Sequence, residues 1–322
     1  MKARLALSCT SILIALGAVV NQAAAQYPER PVRALVPAAA GDGADSNFRI
    51  VADQVAAQLG KSIVVENRPG AGGTIAAREV ARASPDGYTL LLGTNASQIF
   101  GPLLYTSAGY DSVQSFMPIA RLTRTPMVML VPTSLGVNDL AGFLNLARGP
   151  NAPLHYASGG AGTLMHVAAE ILQRATNVPL IHVPYKGASP GLIDLTQGRV
   201  AMIFVPVNSS FALVEAGKVK VLFVADEQRL TQLPNVPTAA EAGLPRTELV
   251  AWTGVFAPDK TPSAIVVRLA QEFTRALANP VVVEVLQRRG ADPSPQRGEV
   301  FAQFIGAEVA RYRDVLKGIK PE

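Results

Sequence analysis

Short apolar runs alternate with amphipathic stretches along most of the chain. Residues 32–36 form an apolar run that predicts a β-strand, and residues 46–59 carry apolar side chains at helical spacing, which predicts an α-helix. Asp45 or Ser46 is expected to cap this helix, because a short side-chain oxygen can accept hydrogen bonds from the free N–H groups of the first turn. The pattern therefore predicts a strand–turn–helix unit.

The turn of this unit, residues 37–45, consists mainly of alanine and glycine. Small residues before the N-terminus of a helix let backbone N–H groups approach a bound anion closely, and the helix dipole favours negative charge there. Residues 156–163 repeat the arrangement, since they follow a predicted strand and precede a predicted helix. Two such turns facing each other would form an anion clamp.

The rest of the chain continues the alternation. Further strands are predicted at residues 62–66, 88–93, 154–157, 180–183, 200–205 and 219–225. Further helices are predicted at residues 74–83, 138–148, 163–175, 191–197, 209–216, 238–242, 263–278, 281–289 and 298–317. Strands that alternate with helices predict an α/β fold with a parallel or mostly parallel sheet, in which ligands bind at the carboxyl ends of the strands.

The alternation is interrupted at residues 118–122 and 127–131, two extended runs with no room for a helix between them. We interpret them as the passage of the chain into a second domain, from which it returns near Trp252, expected to be a core residue at the crossing. Chains that cross twice between domains are suited to hinge closure on a ligand. The predicted architecture is a first domain of residues 26–123 plus 248–322 and a second domain of residues 124–247.

The N-terminal residues have the features of a secretory signal peptide. Lys2 and Arg4 precede an apolar run over residues 5–20, and small residues follow up to Ala25. The sequence predicts that residues 1–25 are removed by cleavage after Ala25 and that the mature protein is periplasmic. Cys9 is the only cysteine, so the mature chain would have no thiol or disulfide chemistry.

Composition excludes several classes of protein. Of the 322 residues, 49% are hydrophobic and 16% charged, which indicates a globular chain rather than a disordered one. The formal net charge is +5, but the basic residues are scattered, and a nucleic-acid-binding protein would cluster them on one face. No dinucleotide-binding fingerprint is complete, and the three histidines lack zinc-site spacing. We therefore expect no nucleic-acid partner, no cofactor and no metal.

Several motifs, in this order along the chain, are typical of one family. They are Val36-Pro37 with Gly41 and Asp45, the run 65–73 (VENRPGAGG), the run 84–90 (SPDGYTL), Ser158-Gly159 with Gly162-Thr163 and His166, the run 182–187 (HVPYKG), the run 235–238 (NVPT), and Trp252 with Ala257-Pro258. On these motifs the chain resembles the tripartite tricarboxylate transporter substrate-binding proteins, also called Bug receptors. The resemblance covers essentially the whole mature chain.

The resemblance implies a type II periplasmic-binding-protein fold and a monomer. It implies that a small carboxylate is held between two domains by backbone amides and ordered waters and is passed to a membrane permease. The residues themselves show no catalytic machinery, so we expect no enzyme activity. The ligand-binding positions that it implies are Ala39, Gly41, Asp45, Thr94, Ser158, Gly159, Gly162, Thr163, His166, Lys186 and Asn208. Because backbone amides carry no side-chain code, the sequence does not name the ligand.

Two of these positions have a second interpretation. His166 either faces the cleft or is a hydrogen-bonded structural histidine, and Lys186 either adds charge to the clamp or is solvated. Asp42 departs from the family pattern, which has paired glycines where this chain has Gly41-Asp42. Asp42 either points to solvent and caps the helix, or it repels a ligand carboxylate or meets a donor group on the ligand.

Two other functions remain as alternatives to a transport receptor. Residues 187–191 (GASPG) match the nucleophile elbow of esterase-type hydrolases, with Ser189 as the nucleophile. Against this, Pro190 has no N–H to donate to an oxyanion, and the three histidines all precede Ser189, whereas that fold places its histidine later. The second alternative is an orphan ligand sensor that presents its ligand to a signalling partner.

Overall fold

The computed structural model describes residues 27–150, 152–244 and 249–318, and the predicted signal peptide lies outside these ranges. The strands are β1 (Val32–Val36), β2 (Ile63–Asn67), β3 (Thr89–Thr94), β4 (Phe116–Pro132), β5 (Leu154–Ser158), β6 (Leu180–Pro184), β7 (Met202–Pro206), β8 (Val219–Val224), β9 (Val250–Pro258) and β10 (Asp292–Arg297). The α-helices are α1 (Gly43–Leu59), α2 (Thr74–Ala81), α3 (Gly101–Leu104), α4 (Leu140–Ala147), α5 (Leu164–Thr176), α6 (Ala188–Thr196), α7 (Phe211–Glu215), α8 (Ser263–Leu277), α9 (Pro280–Arg288) and α10 (Gly298–Val315).

Shorter helical turns complete the description. They are the 3-10 turns Ala71–Gly73, Thr133–Leu135 and Val207–Ser209 and the π-helical turn Asn95–Phe100. None of the helices in the described part of the chain is long and apolar enough to cross a membrane.

The strands form a mixed sheet with two regions. In the first region the order is β2-β1-β3-β9-β4-β10, and in the second it is β6-β5-β7-β4-β8. The outer strands pair in parallel, β1 with β2 and β3, and β5 with β6 and β7. Every pairing of β4 and β9 is antiparallel. The prediction of a mostly parallel sheet is therefore wrong at the centre, because long antiparallel strands join the two regions.

Strand β4 runs through both regions. Its residues 116–126 pair with β9, and its residues 127–130 pair with β7. The two extended runs predicted at residues 118–122 and 127–131 are thus one 17-residue strand, because the residues between them pair with β9, which lies far away in sequence. The division into two domains near residues 123 and 247 stays a prediction.

The hydrophobic core has one part under each face of the first region and continues into the second. Phe48 on α1 stacks on Phe273 of α8, with ring centroids 6.5 Å apart. On the other face, Trp252 is 2% exposed and packs edge-on against Phe301 at 6.1 Å. The prediction that Trp252 is a core residue is therefore confirmed, and its strand position pairs with Arg124 of β4.

Two local predictions are wrong and one strand was missed, each for an identifiable reason. Helix α1 begins at Gly43, so Asp45 and Ser46 lie inside its first turn and do not cap it. Residues 238–242 form a turn rather than a helix, since Thr238 is held in a β-bridge to Val224. Strand β10 was not predicted, because its sequence DPSPQR has no apolar alternation.

Candidate functional site

The turn between β1 and α1 is held by the buried carboxylate of Asp45. Asp45 is 2% exposed, and its Oδ2 accepts a hydrogen bond from the Gly41 N–H at 2.8 Å. Arg49 Nε donates to both carboxylate oxygens at 3.1 Å, and Asn67 Nδ2 donates to Oδ1 at 2.9 Å. Burial raises the pKa of Asp45, but the hydrogen bonds from Arg49, Gly41 and Asn67 outweigh it and hold the pKa below its usual value. Asp45 is therefore an ionised group that fixes the shape of the turn.

Asn67, which the sequence reasoning missed, connects this turn to the end of β2. Its Nδ2 also donates to the Ala38 carbonyl at 3.0 Å, and its Oδ1 accepts from Arg49 Nη2 at 2.9 Å. In the sequence, the VENRPG run that contains Asn67 indicated only the family and gave no structural role for this residue. Its contacts with residues about 20 to 30 positions away give the residue a structural role.

The fixed turn leaves the start of α1 uncapped. Asp42 occupies the N-cap position but makes no side-chain capping hydrogen bond, and it is exposed. The interpretation that Asp42 caps the helix is wrong. Since the first N–H groups of a helix have no partner within it, those of residues 43–45 have no intrahelical acceptor.

The ends of β1, β2 and β3 meet at Gly73. A Cβ atom at Gly73 would lie 2.9 Å from the Cβ of Pro37 and 3.0 Å from the Cβ of Ser97, and its φ of +85° is one that favours glycine. Thr94, at the end of β3, accepts from the Ser97 N–H at 3.3 Å, and Ser97 Oγ accepts from the Thr94 N–H at 3.0 Å. This reciprocal cap brings Thr94 to the same edge of the sheet as the β1–α1 turn.

The second glycine-rich turn, residues 158–163, is held by neutral groups. Ser158 Oγ accepts from the Gly160 N–H at 3.0 Å and lies 2.6 Å from His182 Nε2. Thr163 caps α5, since its Oγ1 accepts from the His166 N–H at 3.4 Å and donates to the Gly160 carbonyl at 2.7 Å. The predicted strand–turn–helix unit is confirmed here.

Two histidines pack against this second turn. His166 Nδ1 accepts from the Gly162 N–H at 3.1 Å, and the ring of His166 stacks on that of His182 with centroids 4.2 Å apart. Burial and the neighbouring His166 lower the pKa of His182 to about 4. Of the two interpretations of His166, the structure supports the hydrogen-bonded one, because the ring is 6% exposed and supports the turn.

Asn208 and Tyr105 lie beside three glycine-containing turns: the β1–α1 turn, the turn at residues 70–73 and the turn at residues 158–163. A Cβ atom at Gly43 would lie 3.3 Å from Asn208 Nδ2, and the Oδ1 atom of Asn208 is buried without a hydrogen-bond partner among the described residues. The ring of Tyr105 lies between the other two turns: a Cβ atom at Gly72 would be 3.4 Å from its Cε2, and one at Gly162 would be 3.4 Å from its hydroxyl. Tyr105 was missed in the sequence, where it follows a short apolar stretch without periodicity.

The remaining candidates lie at the edge of this arrangement. Ala39 is exposed, and its carbonyl accepts from the Asp42 N–H at 3.1 Å within the tight turn. Gly159 lies beside Gly187, whereas Lys186 is exposed. Ser189 is also exposed, in the first turn of α6, and His182 is engaged with Ser158 instead. Within residues 27–150, 152–244 and 249–318, no cluster of three His, Cys, Asp or Glu side chains is arranged to hold a metal.

A mixed sheet with two parallel-stranded regions, central antiparallel strands and glycine-rich turns at the strand ends defines a periplasmic binding protein, a class that binds solutes. Comparison with known proteins identifies the family. Residues 47–320 match the family described as tripartite tricarboxylate transporter family receptor, and the chain belongs to this family. The resemblance found in the sequence is thereby confirmed.

The relatives are similar over nearly their whole length. A UPF0065 protein from the tcbD-tcbE intergenic region of Pseudomonas sp. (strain P51) is 37% identical over 308 residues, which cover 94% of this chain and 91% of that protein. An R. palustris protein solved with adipate is 34% identical with a TM-score of 0.85 and covers 92% of this chain and 100% of its own. MatC from Rhodopseudomonas palustris, solved with bound malate, is 35% identical with a TM-score of 0.82 and covers 90% of this chain and 100% of its own.

Proposed function

We propose that this protein is a periplasmic receptor that captures a small carboxylate between the β1–α1 turn and the turn at residues 158–163. The observation that carries the proposal is the uncapped start of α1, whose free N–H groups lie beside Asn208 from the second sheet region. Backbone N–H groups at a helix N-terminus are suited to a carboxylate. The ligands of the two R. palustris relatives, adipate and malate, are of this chemical type.

The candidate residues divide into two roles in this proposal. Ligand contacts come from the turns and their neighbours, namely Ala39, Thr94, Gly159, Lys186 and Asn208 together with the amides of residues 43–45. Supporting roles fall to residues whose polar groups are already bonded within the turns, namely Gly41, Asp45, Ser158, Gly162, Thr163 and His166. Tyr105 is a further proposed ligand contact, and Asn67 has a further supporting role.

Delivery is the second half of the proposal. The protein is exported, loses residues 1–25 and hands its ligand to the permease subunits of a tripartite tricarboxylate transporter. Membership of the receptor family supports this role. A transport assay in a strain lacking the gene separates it from a sensor, because a transport receptor is required for uptake and a sensor is not.

Binding is tested by thermal unfolding of the mature protein, residues 26–322, after denaturation and refolding to remove any bound ligand. A ligand at about 100 times its dissociation constant stabilises the folded state by roughly 2.7 kcal/mol, which shifts the melting temperature measurably. A panel of mono-, di- and tricarboxylates and amino acids, with neutral amides of the same size as controls, should give a shift confined to carboxylates. A shift with the neutral amides, or with none of the panel, contradicts the proposal.

A further inference from the structure

The second turn is supported by an unusual pair of side chains. His166, on α5, and His182, on β6, stack with parallel rings, 4.2 Å between centroids and 2° between planes. Tyr156 lies nearly parallel to both, at 4.9 Å from His182 and 6.5 Å from His166. The site proposed above needs none of these rings as a ligand contact, so the pair calls for a separate explanation.

The hydrogen bond to His166 requires an uncharged ring. Its Nδ1 accepts from the Gly162 N–H, and a nitrogen that accepts must carry no proton. In the imidazolium form both ring nitrogens are donors, so the Gly162 amide would lose its acceptor. His166 therefore supports the turn as the tautomer with its proton on Nε2.

His182 supports the same turn through Ser158. Its Nε2 lies 2.6 Å from Ser158 Oγ, which accepts from the Gly160 N–H and lies 3.1 Å from the Gly160 carbonyl. The centroid of the His166 ring lies 4.2 Å from that of His182. A positive charge on His182 would therefore interact unfavourably with a charge on His166 or with the dipole of its ring. The low pKa of His182, about 4, agrees with a ring that stays neutral because of burial and its neighbour.

The titratable groups that lie close to the pair include Glu170 and Tyr156. Glu170 Oε1 lies 3.9 Å from His166 Nε2 and accepts from the Tyr156 hydroxyl at 3.0 Å and from Gln173 Nε2 at 2.7 Å. This carboxylate favours placing a first proton on His166.

We propose that His166 and His182 are positioning residues that hold the 158–163 turn in its ligand-binding shape only while both rings are uncharged, so that protonation of the pair weakens ligand binding. The inference rests on the proposed carboxylate-binding function and gives it a pH dependence. The turn would be intact at neutral pH and loosened in acid, independently of the protonation of the ligand itself.

Binding is tested with adipate and malate by calorimetry at pH values between about 7.5 and 3, a range that includes the pKa of His182, about 4. Two variants remove the titration and keep the hydrogen bonds: His166→Asn places an oxygen where Nδ1 lies, and His182→Gln places an amide where Nε2 lies. One linked proton weakens binding about tenfold per pH unit below its pKa. The wild type should therefore lose about tenfold more affinity over this range than the double variant, which carries both His166→Asn and His182→Gln, and equal losses in both would overturn the inference.

His155 provides the matched control, since it is exposed on β5 and lies outside the turn. His155→Asn should reproduce the wild-type pH profile. If this variant flattens the profile as the double variant does, the effect is not specific to the stacked pair, and the inference fails.

A measurement without ligand covers the case in which a variant does not fold or neither acid binds. Nitrogen-15 NMR of the wild-type imidazoles should show His166 with its proton on Nε2 at neutral pH. The Gly162 and Gly160 amide protons should lose protection from exchange as the pair titrates. Failure of every carboxylate of the panel to bind the wild type at pH 7.5 would contradict the proposed function, whereas unchanged protection of these amides through the titration would overturn the inference itself.

Discussion

The two glycine-rich turns have the same position at the end of a strand and the start of a helix, yet different chemistry holds them. The β1–α1 turn is organised around an ionised carboxylate, Asp45, with Arg49 and Asn67 as donors. The 158–163 turn is organised around a hydroxyl and two stacked imidazoles, of which His166 can accept its hydrogen bond only while it is uncharged. A similar backbone shape therefore does not require a similar set of supporting side chains.

Because different groups hold the two turns, the stability of each turn is expected to respond differently to acid. The folded-state pKa of Asp45 is lowered, so its contribution to stability is present above the ordinary pKa of an aspartate and is lost only in strong acid. The pKa of His182 is lowered as well, but for a base this means that the unfolded state binds the proton more readily. Its contribution is lost at much milder pH.

The largest effect on stability is expected from removing the Asp45 carboxylate that holds the β1–α1 turn. Asp45→Ala leaves the Gly41 amide and Asn67 without their acceptor and removes the partner of Arg49. Removing one member of such a network should lower the free energy of unfolding by about 3 kcal/mol, measured in urea. Asp53→Asn, an exposed site on the same helix, is the control and should change stability by less than about 0.5 kcal/mol. Equal midpoints for Asp45→Ala and the control would show that Asp45 does not hold the turn.

The next effect is the pH dependence of wild-type stability. Because the pKa of His182 falls from an ordinary 6.5 to about 4, the free energy of unfolding should decrease as pH falls through this window. We expect a loss on the order of 2 kcal/mol, less than the full shift implies because the ring is only partly buried. His182→Gln should flatten the curve between pH 6.5 and 4, and an unchanged slope in this variant would assign the dependence to other groups.

A smaller effect is expected from the hydroxyl of the neutral turn. Ser158→Ala removes the acceptor of the Gly160 N–H and the partner of His182, both at a fully buried side chain. The cost should be about 1–2 kcal/mol in urea unfolding. Ser189→Ala, at an exposed position, should change neither stability nor ligand binding. An ester hydrolysis activity that disappears in Ser189→Ala would instead revive the hydrolase interpretation.

The smallest effect concerns the charge at the open end of α1. Asp42 is exposed and makes no capping bond, so its charge lies beside the N–H groups that we propose for the ligand. Asp42→Gly should strengthen binding of a dicarboxylate about twofold to fivefold, since a charge near a helix terminus contributes about 0.3–1 kcal/mol. Calorimetry with Asp53→Asn as control measures the change. An unchanged affinity would support the solvent-facing interpretation of Asp42.

The sequence predicts those elements that the local pattern of apolar and polar residues determines. The apolar run of β1 and the helical spacing of α1 suffice for the strand–turn–helix unit, and the glycines indicate where backbone amides are accessible. Thr163 fits the same rule, because a threonine before an apolar helix is a common cap.

The features that the sequence did not predict depend on distant contacts. Tyr105 is included in the proposed site because Gly72 and Gly162, from different parts of the chain, both come close to it. Strand β10 contains two prolines and forms only because β4 offers it an edge. The segment at residues 238–242 has a local helix signal, since Glu241 Oε2 accepts from the Thr238 N–H, yet the bridge to Val224 keeps it from continuing.

Strand β4 also determines whether the protein can be divided into fragments that fold separately. Most multi-domain chains can be cut in the linker between their domains to give two separate folding units. Here a cut near residue 124 would sever a strand that pairs on both sides, with β9 and β10 in one region and β7 and β8 in the other. Neither fragment would keep a complete sheet. We therefore expect the protein to melt as one calorimetric unit, and a receptor built this way cannot exchange one half for another by simple recombination of gene segments.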